Sequence, residues 1–302
     1  MFPELMERKP CSQRIWPIIA ATPHRVDYIS ALGVKTRILV AGSRQRAVIV
    51  LVPPLFLTLD TFLYVLPELT ENYFVVTYDK PGRGFSEKAS FPQTVSFLAN
   101  HLISLVDELG IRDLPIVLSG SGFGGWVVAR AASTGRLGNV RGLILNNPGN
   151  PRPHAIDGLR RANLQEVEEG SLEAARNGFR RLLSSEDYLN DDLVCIRYAT
   201  HLLFGREPLL ARKNIEYCLN AFRSEEDSWD RDWVEAMKIP TLIIWSSQNK
   251  IDHLSDYDTF INRLPRVALK IIEGGMLPQI EQPKLFVSLH RDFIEEVLKD
   301  GS

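Results

Sequence analysis

Residues 116–132 read IVLSGSGFGGWVVARAA, and few folds accept such a stretch. A short apolar run suited to a buried strand meets GSGFGG and continues directly as a helix-forming segment. A strand that turns into a helix over so few residues needs a sharp bend. The central residue of that bend takes a strained backbone, and its neighbours must be small. The rest of the chain repeats the alternation. Strand-like runs are predicted at Val26–Ser30, Thr36–Ala41, Ala47–Val52, Phe74–Tyr78, Ile116–Ser119 and Leu143–Asn146. Helical patterns lie between them, including Val95–Leu109 and Trp126–Ser133. The last four runs are apolar on both faces, as buried parallel strands are. Thr241–Trp245 and Val267–Ile272 continue the series, and Pro283–Leu298 closes it as a helix. This alternation predicts an α/β fold with a mostly parallel, doubly wound sheet.

From Asn150 to Lys238 the strand pattern stops. Phrases such as SLEAARNGFRRLLS and EPLLARKNIEYCLNAFRSEED are polar and helical. The expected organisation is a core of residues 1–149 and 239–302 with a helical cap, residues 150–238, inserted into it. Tyr198, Phe204, Tyr217, Phe222, Trp229 and Trp233 predict an aromatic lid. With 302 residues, 45% of them hydrophobic, the chain can bury a large core and is too apolar for disorder. The 35 Lys+Arg and 37 Asp+Glu give a net charge of -2, which argues against nucleic acid or an anionic membrane as partner. No window of about 18 apolar residues offers a spanning helix. Glu4, Glu7, Arg8 and Lys9 stand where a signal peptide would be apolar. Cys11, Cys195 and Cys218 include no C-x-x-C pair, so neither a disulfide framework nor a thiolate metal site is expected. These features predict a cytoplasmic protein. No metal or cofactor is expected, because GSGFGG lacks the Lys-Ser/Thr of a P-loop and the acidic partner of a dinucleotide site. Nothing in the sequence sets an oligomeric state.

Four phrases together resemble the α/β-hydrolase fold superfamily. GSGFGG resembles its G-x-S-x-G nucleophile elbow, and TYDKPGRGFSE the turn after its fourth strand. IPTLIIWSSQNKID resembles the strand that delivers the catalytic acid. EGGMLPQIEQPKLF resembles the G-x-H-x-x-x-x-E-x-P segment after the last strand. The resemblance implies a pocket at the carboxyl ends of the strands, under the cap. It places Gly122 at the nucleophile position, with Ser121 before it, Asn249 at the acid position and Met276 at the base position. Pro53-Pro54 replaces the HG pair of the oxyanion loop. Asp79 is expected to fasten its turn, and Lys80 and Arg83 to be solvated. Of His24, His101, His154, His201, His253 and His290, none lies at the place after the last strand where the base belongs. His24 is expected before the sheet. His154, at the cap entrance, and His253, at the pocket edge, are the replacement acid–base candidates, and each is read first as structural.

Glycine offers no nucleophile, methionine takes no proton, and asparagine cannot hold an imidazolium. The expected pocket has Gly122 as its floor, Asn249 and Met276 beside it, and the N–H groups of Leu55 and Phe123 to polarise a carbonyl. Its expected occupant is a hydrophobic small molecule. Three functions follow from this. The first is a cofactor-independent, non-hydrolytic enzyme, with cyclisation or a pericyclic step in natural-product biosynthesis as the preferred chemistry. The second is an inactive ligand receptor or scaffold. The third is a hydrolase with relocated residues, of which Ser121 would be the nucleophile. An open pocket with a few polar points favours the enzyme, and a collapsed one favours the scaffold.

Overall fold

The computed structural model describes residues 14–44, 46–88, 91–149, 153–205, 208–223 and 225–299. Among these residues eight strands form one sheet: β1 (His24–Ala31), β2 (Val34–Ala41), β3 (Val48–Val52), β4 (Phe74–Tyr78), β5 (Ile116–Ser121), β6 (Val140–Asn146), β7 (Thr241–Ser246) and β8 (Val267–Ile272). Their spatial order is β1-β2-β4-β3-β5-β6-β7-β8. Strand β2 runs antiparallel to both neighbours, and every other pairing is parallel. The helices are α1 (Ile15–Ala21), α2 (Leu66–Thr70), α3 (Val95–Glu108), α4 (Phe123–Ser133), α5 (Pro153–Glu169), α6 (Leu172–Arg180), α7 (Asp191–Gly205), α8 (Pro208–Leu219), α9 (Trp233–Ala236), α10 (Asp258–Arg263), α11 (Pro278–Glu281) and α12 (Pro283–Lys299). Helices α5 to α9 lie between β6 and β7.

The sheet is where the alternation puts it. Val76, Val50, Leu118, Leu143 and Thr241 form one row across five neighbouring strands. Val48, Val50 and Val52 face the layer of α3 and α4, while Ile49 and Leu51 face that of α12. Burial on both faces explains why these runs are apolar throughout. His24 does not precede the sheet; it is the exposed first residue of β1.

The tryptophans of the helical segment pack on the core rather than over the cavity. Trp229 stacks on Trp126 of α4 at 6.1 Å and packs against Phe260 of α10 at 4.1 Å, with Trp233 5.1 Å away. The Trp126 indole donates to the Asp227 carbonyl at 2.6 Å. The Asp227 carboxylate accepts from Ser96 N at 3.0 Å and Arg130 Nε at 3.1 Å. These contacts fasten the end of the segment to the core. Tyr198 packs half-buried against the core on the other face of the sheet, and the Phe204 side chain lies outside the described residues.

After β4 the chain turns at DKPGRGFS. Asp79 fastens the turn as expected: Oδ1 accepts from Leu59 N at 2.9 Å, and Oδ2 from Phe85 N at 2.9 Å and Arg37 Nη1 at 3.2 Å. Lys80 and Arg83, in contrast, are not solvated. Lys80 is 1% exposed and Arg83 7%. The turn folds inward under the sheet's carboxyl edge, and Lys80 Nζ donates to the carbonyls of Pro53 and Pro54 at 2.8 and 2.7 Å. Arg83 lies over the Phe56 ring at 4.6 Å. Removing Asp79 leaves two backbone donors and part of a buried guanidinium unpaired. The Asp79→Ala variant is therefore expected to lose about 3 kcal/mol of unfolding free energy in urea titration.

Candidate functional site

Gly122 stands at the tip of the bend between β5 and α4 with φ 54° and ψ −125°, a conformation that L side chains rarely adopt. Its N–H donates to Asn146 O at 2.8 Å, and its carbonyl accepts from Gly125 N at 2.9 Å and Gly149 N at 3.0 Å. The helix sits very close to the sheet here. A Cβ on Gly120 would lie 2.3 Å from the Gly124 backbone, and one on Gly124 would lie 2.2 Å from Val52 O. A Cβ on Gly122 would come within 2.7 Å of Met276 Cε.

Above the bend is a cavity of about 330 Å³. The core side is formed by Pro54–Leu57 after β3, Phe123 at the start of α4, Gly149 after β6, Lys250–Asp252 after β7 and Met276 after β8. The opposite wall comes from the helical segment. Gly158, Leu159, Ala162 and Asn163 present one face of α5, and Gly178, Arg181, Leu182, Arg197 and Phe222 complete the wall. The lining is mainly apolar. The cavity opens where parallel strands end, the usual position of a ligand crevice in open α/β sheets.

Leu55, Phe123 and Met276 line the cavity as the sequence predicts. The floor differs from the expectation, because Met276 covers Gly122. The Met276 backbone is held by Leu182 O, which accepts from its N–H at 2.8 Å. Glu281 secures the same loop by accepting from Gly275 N at 3.0 Å. Asn249 does not line the cavity. Its Oδ1 accepts from Ile251 N at 2.9 Å, so the side chain shapes its own loop, and its Nδ2 is buried without a partner. Ser121 is fully buried in β5, also outside the lining, and its Oγ makes no hydrogen bond. His253 is exposed on the loop after β7. His154 lies on α5, and its side chain falls outside the described residues. Of the cap aromatics whose side chains are described, Phe222 is among the lining residues and Tyr198, Tyr217, Trp229 and Trp233 are not.

The sequence reading missed the charged groups of the cavity: Arg181, Arg197, Lys250 and Asp252. Lys250 and Asp252 follow the acid position directly, and that adjacency was the available signal. The arginines lie in amphipathic helical patterns that look like solvated faces. Among the described residues no group of three or more His, Cys, Asp or Glu side chains could hold a metal ion, and no helix is long and apolar enough to cross a membrane.

A serine–histidine pair lies beneath the bend. His290 Nδ1–H donates to Phe286 O at 2.7 Å, which leaves Nε2 to accept from Ser119 Oγ at 2.8 Å. Asn146 Nδ2 donates to the same hydroxyl at 3.0 Å. Burial pulls the His290 imidazole down to about 3, so it stays neutral, and it does not line the cavity. The pair is a core hydrogen-bond network. Burial likewise pulls Lys80, beneath the Pro53-Pro54 loop, down to about 7.

Residues 49–289 match the profile described as Alpha/beta hydrolase family. The chain belongs to this family. It is 21% identical over 265 residues to 3-oxoadipate enol-lactonase 2 of Acinetobacter baylyi, covering 87% of this chain and 94% of that protein. Among solved structures, a putative lipase from Acinetobacter baumannii AYE is similar at a TM-score of 0.79 and 18% identity, covering 95% of this chain and 96% of that one. A thermophilic esterase from Thermogutta terrifontis is similar at 0.72 and 22%, covering 90% and 99%. The α/β-hydrolase fold is therefore shown by family and by structure.

The buried imidazole makes stability depend on pH. The unfolded chain takes up a proton on His290 near its ordinary value, while the folded chain resists until about 3. Stability is thus lost as pH falls below about 6.5, by about 2 kcal/mol at pH 5 from this group alone. Between pH 7 and pH 5, His290→Gln is expected to lose about 2 kcal/mol less unfolding free energy than the parent, measured by urea titration at both values.

Proposed function

We propose that this chain binds an apolar small molecule in the cavity above Gly122 and converts it without an acyl-enzyme intermediate. Cyclisation or a pericyclic step of natural-product biosynthesis is the preferred chemistry. The observation that carries the reading is the contact between Met276 and Gly122. Met276 Cε stands 2.7 Å from where the Cβ of a side chain at position 122 would lie, and an open, mainly apolar cavity lies above it. A scaffold has no need of that open space. The relatives' names are those of hydrolases, but hydrolysis through a covalent intermediate needs a nucleophile, and the nearest hydroxyl, Ser121, does not line the cavity.

The chain keeps what positions a substrate. The first N–H groups of α4 have no acceptor within the helix, so Phe123 N, together with Leu55 N, can receive a substrate carbonyl near the helix's positive end. Lys80 holds the loop that carries Leu55. The walls would hold a flexible substrate folded for reaction, and positioning of this kind can supply several kcal/mol of a barrier, up to about 10. Asp252 is the carboxyl-bearing residue among those that line the cavity.

A mass balance distinguishes these chemistries. The purified protein is incubated with a metabolite extract from a strain lacking its gene, and the reaction is followed by liquid chromatography and mass spectrometry. The expected product is an isomer of the compound consumed. A product that has gained the elements of water overturns the reading in favour of hydrolysis. No ester turnover and no labelling by a fluorophosphonate probe are expected. Labelling of Ser121 would likewise sink the proposal.

The reading also governs the simplest reversion. Gly122→Ser places a hydroxyl against Met276 with no base in reach, so its rate on p-nitrophenyl butyrate is expected to stay within about tenfold of the parent's. The combined variant Gly122→Ser, Asn249→Asp, Met276→His is expected to exceed the single one. Efficient turnover by the single variant would reveal a base elsewhere in the cavity.

A further inference from the structure

Apart from Asn163, the cavity wall contributed by the helical segment is apolar except at one charged place. There Arg197 is 6% exposed, with Nε and Nη2 bound to Glu166 at 2.5 and 2.8 Å. Its guanidinium rests on the backbone at Gly178, where a Cβ would lie 2.6 Å from Nε, and near the Phe179 ring at 5.5 Å. The remaining nitrogen, Nη1, is buried and has no hydrogen-bond partner. Arg181 reaches the same carboxylate, with Nη2 3.4 Å from Glu166 Oε2. Desolvation, together with the neighbouring Arg197 charge, lowers the Arg181 pKa against the pull of Glu166.

Lys250 belongs to the same region. Its Nζ donates to Leu183 O at 2.6 Å, two residues along the chain from Arg181. Arg181, Arg197 and Lys250 all line the cavity. Carboxylates accompany these three cations: Glu166 beneath the arginines, Glu169 acting on Arg181, and Asp252 two residues from Lys250. Of the three cations Arg197 is withdrawn from water, while Arg181 and Lys250 keep exposed surface. A buried guanidinium nitrogen without an acceptor is costly, and an anionic ligand group would supply that acceptor.

We propose that this corner is a subsite for a carboxylate carried on the apolar ligand, so that the molecule taken up is an amphipathic organic acid. The proposal rests on the reading of the cavity as a ligand site and names the class of that ligand. Arg181 and Arg197 receive the carboxylate, with Glu166 holding both guanidinium groups in place, and Lys250 contributes charge from the core side. The apolar body then extends over Met276 toward Leu55 and Phe123. Guanidinium–carboxylate contacts are directional and charge-assisted, so they select the acid over a neutral molecule of the same shape.

Two probes of equal length, decanoate and decanamide, test this by titration calorimetry at low salt and pH 7. The intact protein is expected to bind decanoate roughly tenfold or more tightly than decanamide. In Arg181→Gln, a change at a half-exposed side chain, that preference is expected to shrink severalfold while decanamide binding holds. Arg197→Gln combined with Glu166→Gln removes both partners of the buried pair together, which avoids an orphaned charge, and is expected to abolish the preference. Circular dichroism confirms that each variant is folded. Equal binding of the two probes by the intact protein overturns the subsite and leaves the cavity reading standing. Binding of neither probe overturns both. A preference unchanged in both folded variants overturns the assignment to these arginines.

Discussion

The site depends on how closely α4 approaches the middle of the sheet. Gly120, Gly124 and the carbonyl of Val52 meet with no room for a single extra carbon. That approach aims the first turn of α4 at the space above the sheet and places Phe123 N beside the loop that leaves β3. Because β3, β5, β6, β7 and β8 run parallel, their following loops gather at the same edge. The cavity follows from this convergence. Its floor follows from a second close contact, Met276 over Gly122, which takes the place of a side chain at the tip of the bend.

The parts of the structure that were legible in the sequence are those where local pattern and burial agree. Strand β4 and strand β8 fall on their predicted residues, and the other strands differ only in where they begin or end. Central strands are apolar on both faces because both faces are covered, and a run of that kind has few alternatives. The glycines of the bend were legible for a related reason: the geometry they permit is open to almost no other residue. Leu55, Phe123 and Met276 could be assigned to the cavity because backbone position in this fold decides where they point.

What was not legible depends on long-range packing. The aromatics of the helical segment look alike as apolar residues of helical stretches, yet Trp229 and Trp233 pack on α4 and α10 while Phe222 reaches the cavity. Lys80 looks like a surface residue in DKPGRG, and only the inward fold of the turn gives its amine two carbonyl acceptors. Arg197 sits in α7 and Arg181 just past the end of α6, in stretches whose polar residues read as a solvated face. The burial of Arg197 depends on Glu166, 31 residues earlier on a different helix, which no local pattern reveals. Asn249 shows the converse. It holds the acid position in sequence but spends its acceptor on the loop itself, and the side chains beyond it, Lys250 and Asp252, face the ligand space.

These placements divide the cavity between the core and the helical segment. Here the core contributes backbone donors at Leu55 and Phe123 and an apolar methionine floor. The strongest side-chain charges facing the cavity come from the helical segment and from the loop after β7. Binding energy for a ligand would then come from apolar contact, roughly 25 cal/mol for each Å² withdrawn from water, with orientation set by a few charged contacts on one side. On the proposed reading a chamber built this way holds a molecule in a defined fold, and the chemistry it supports is the kind that needs only shape and a polarised carbonyl.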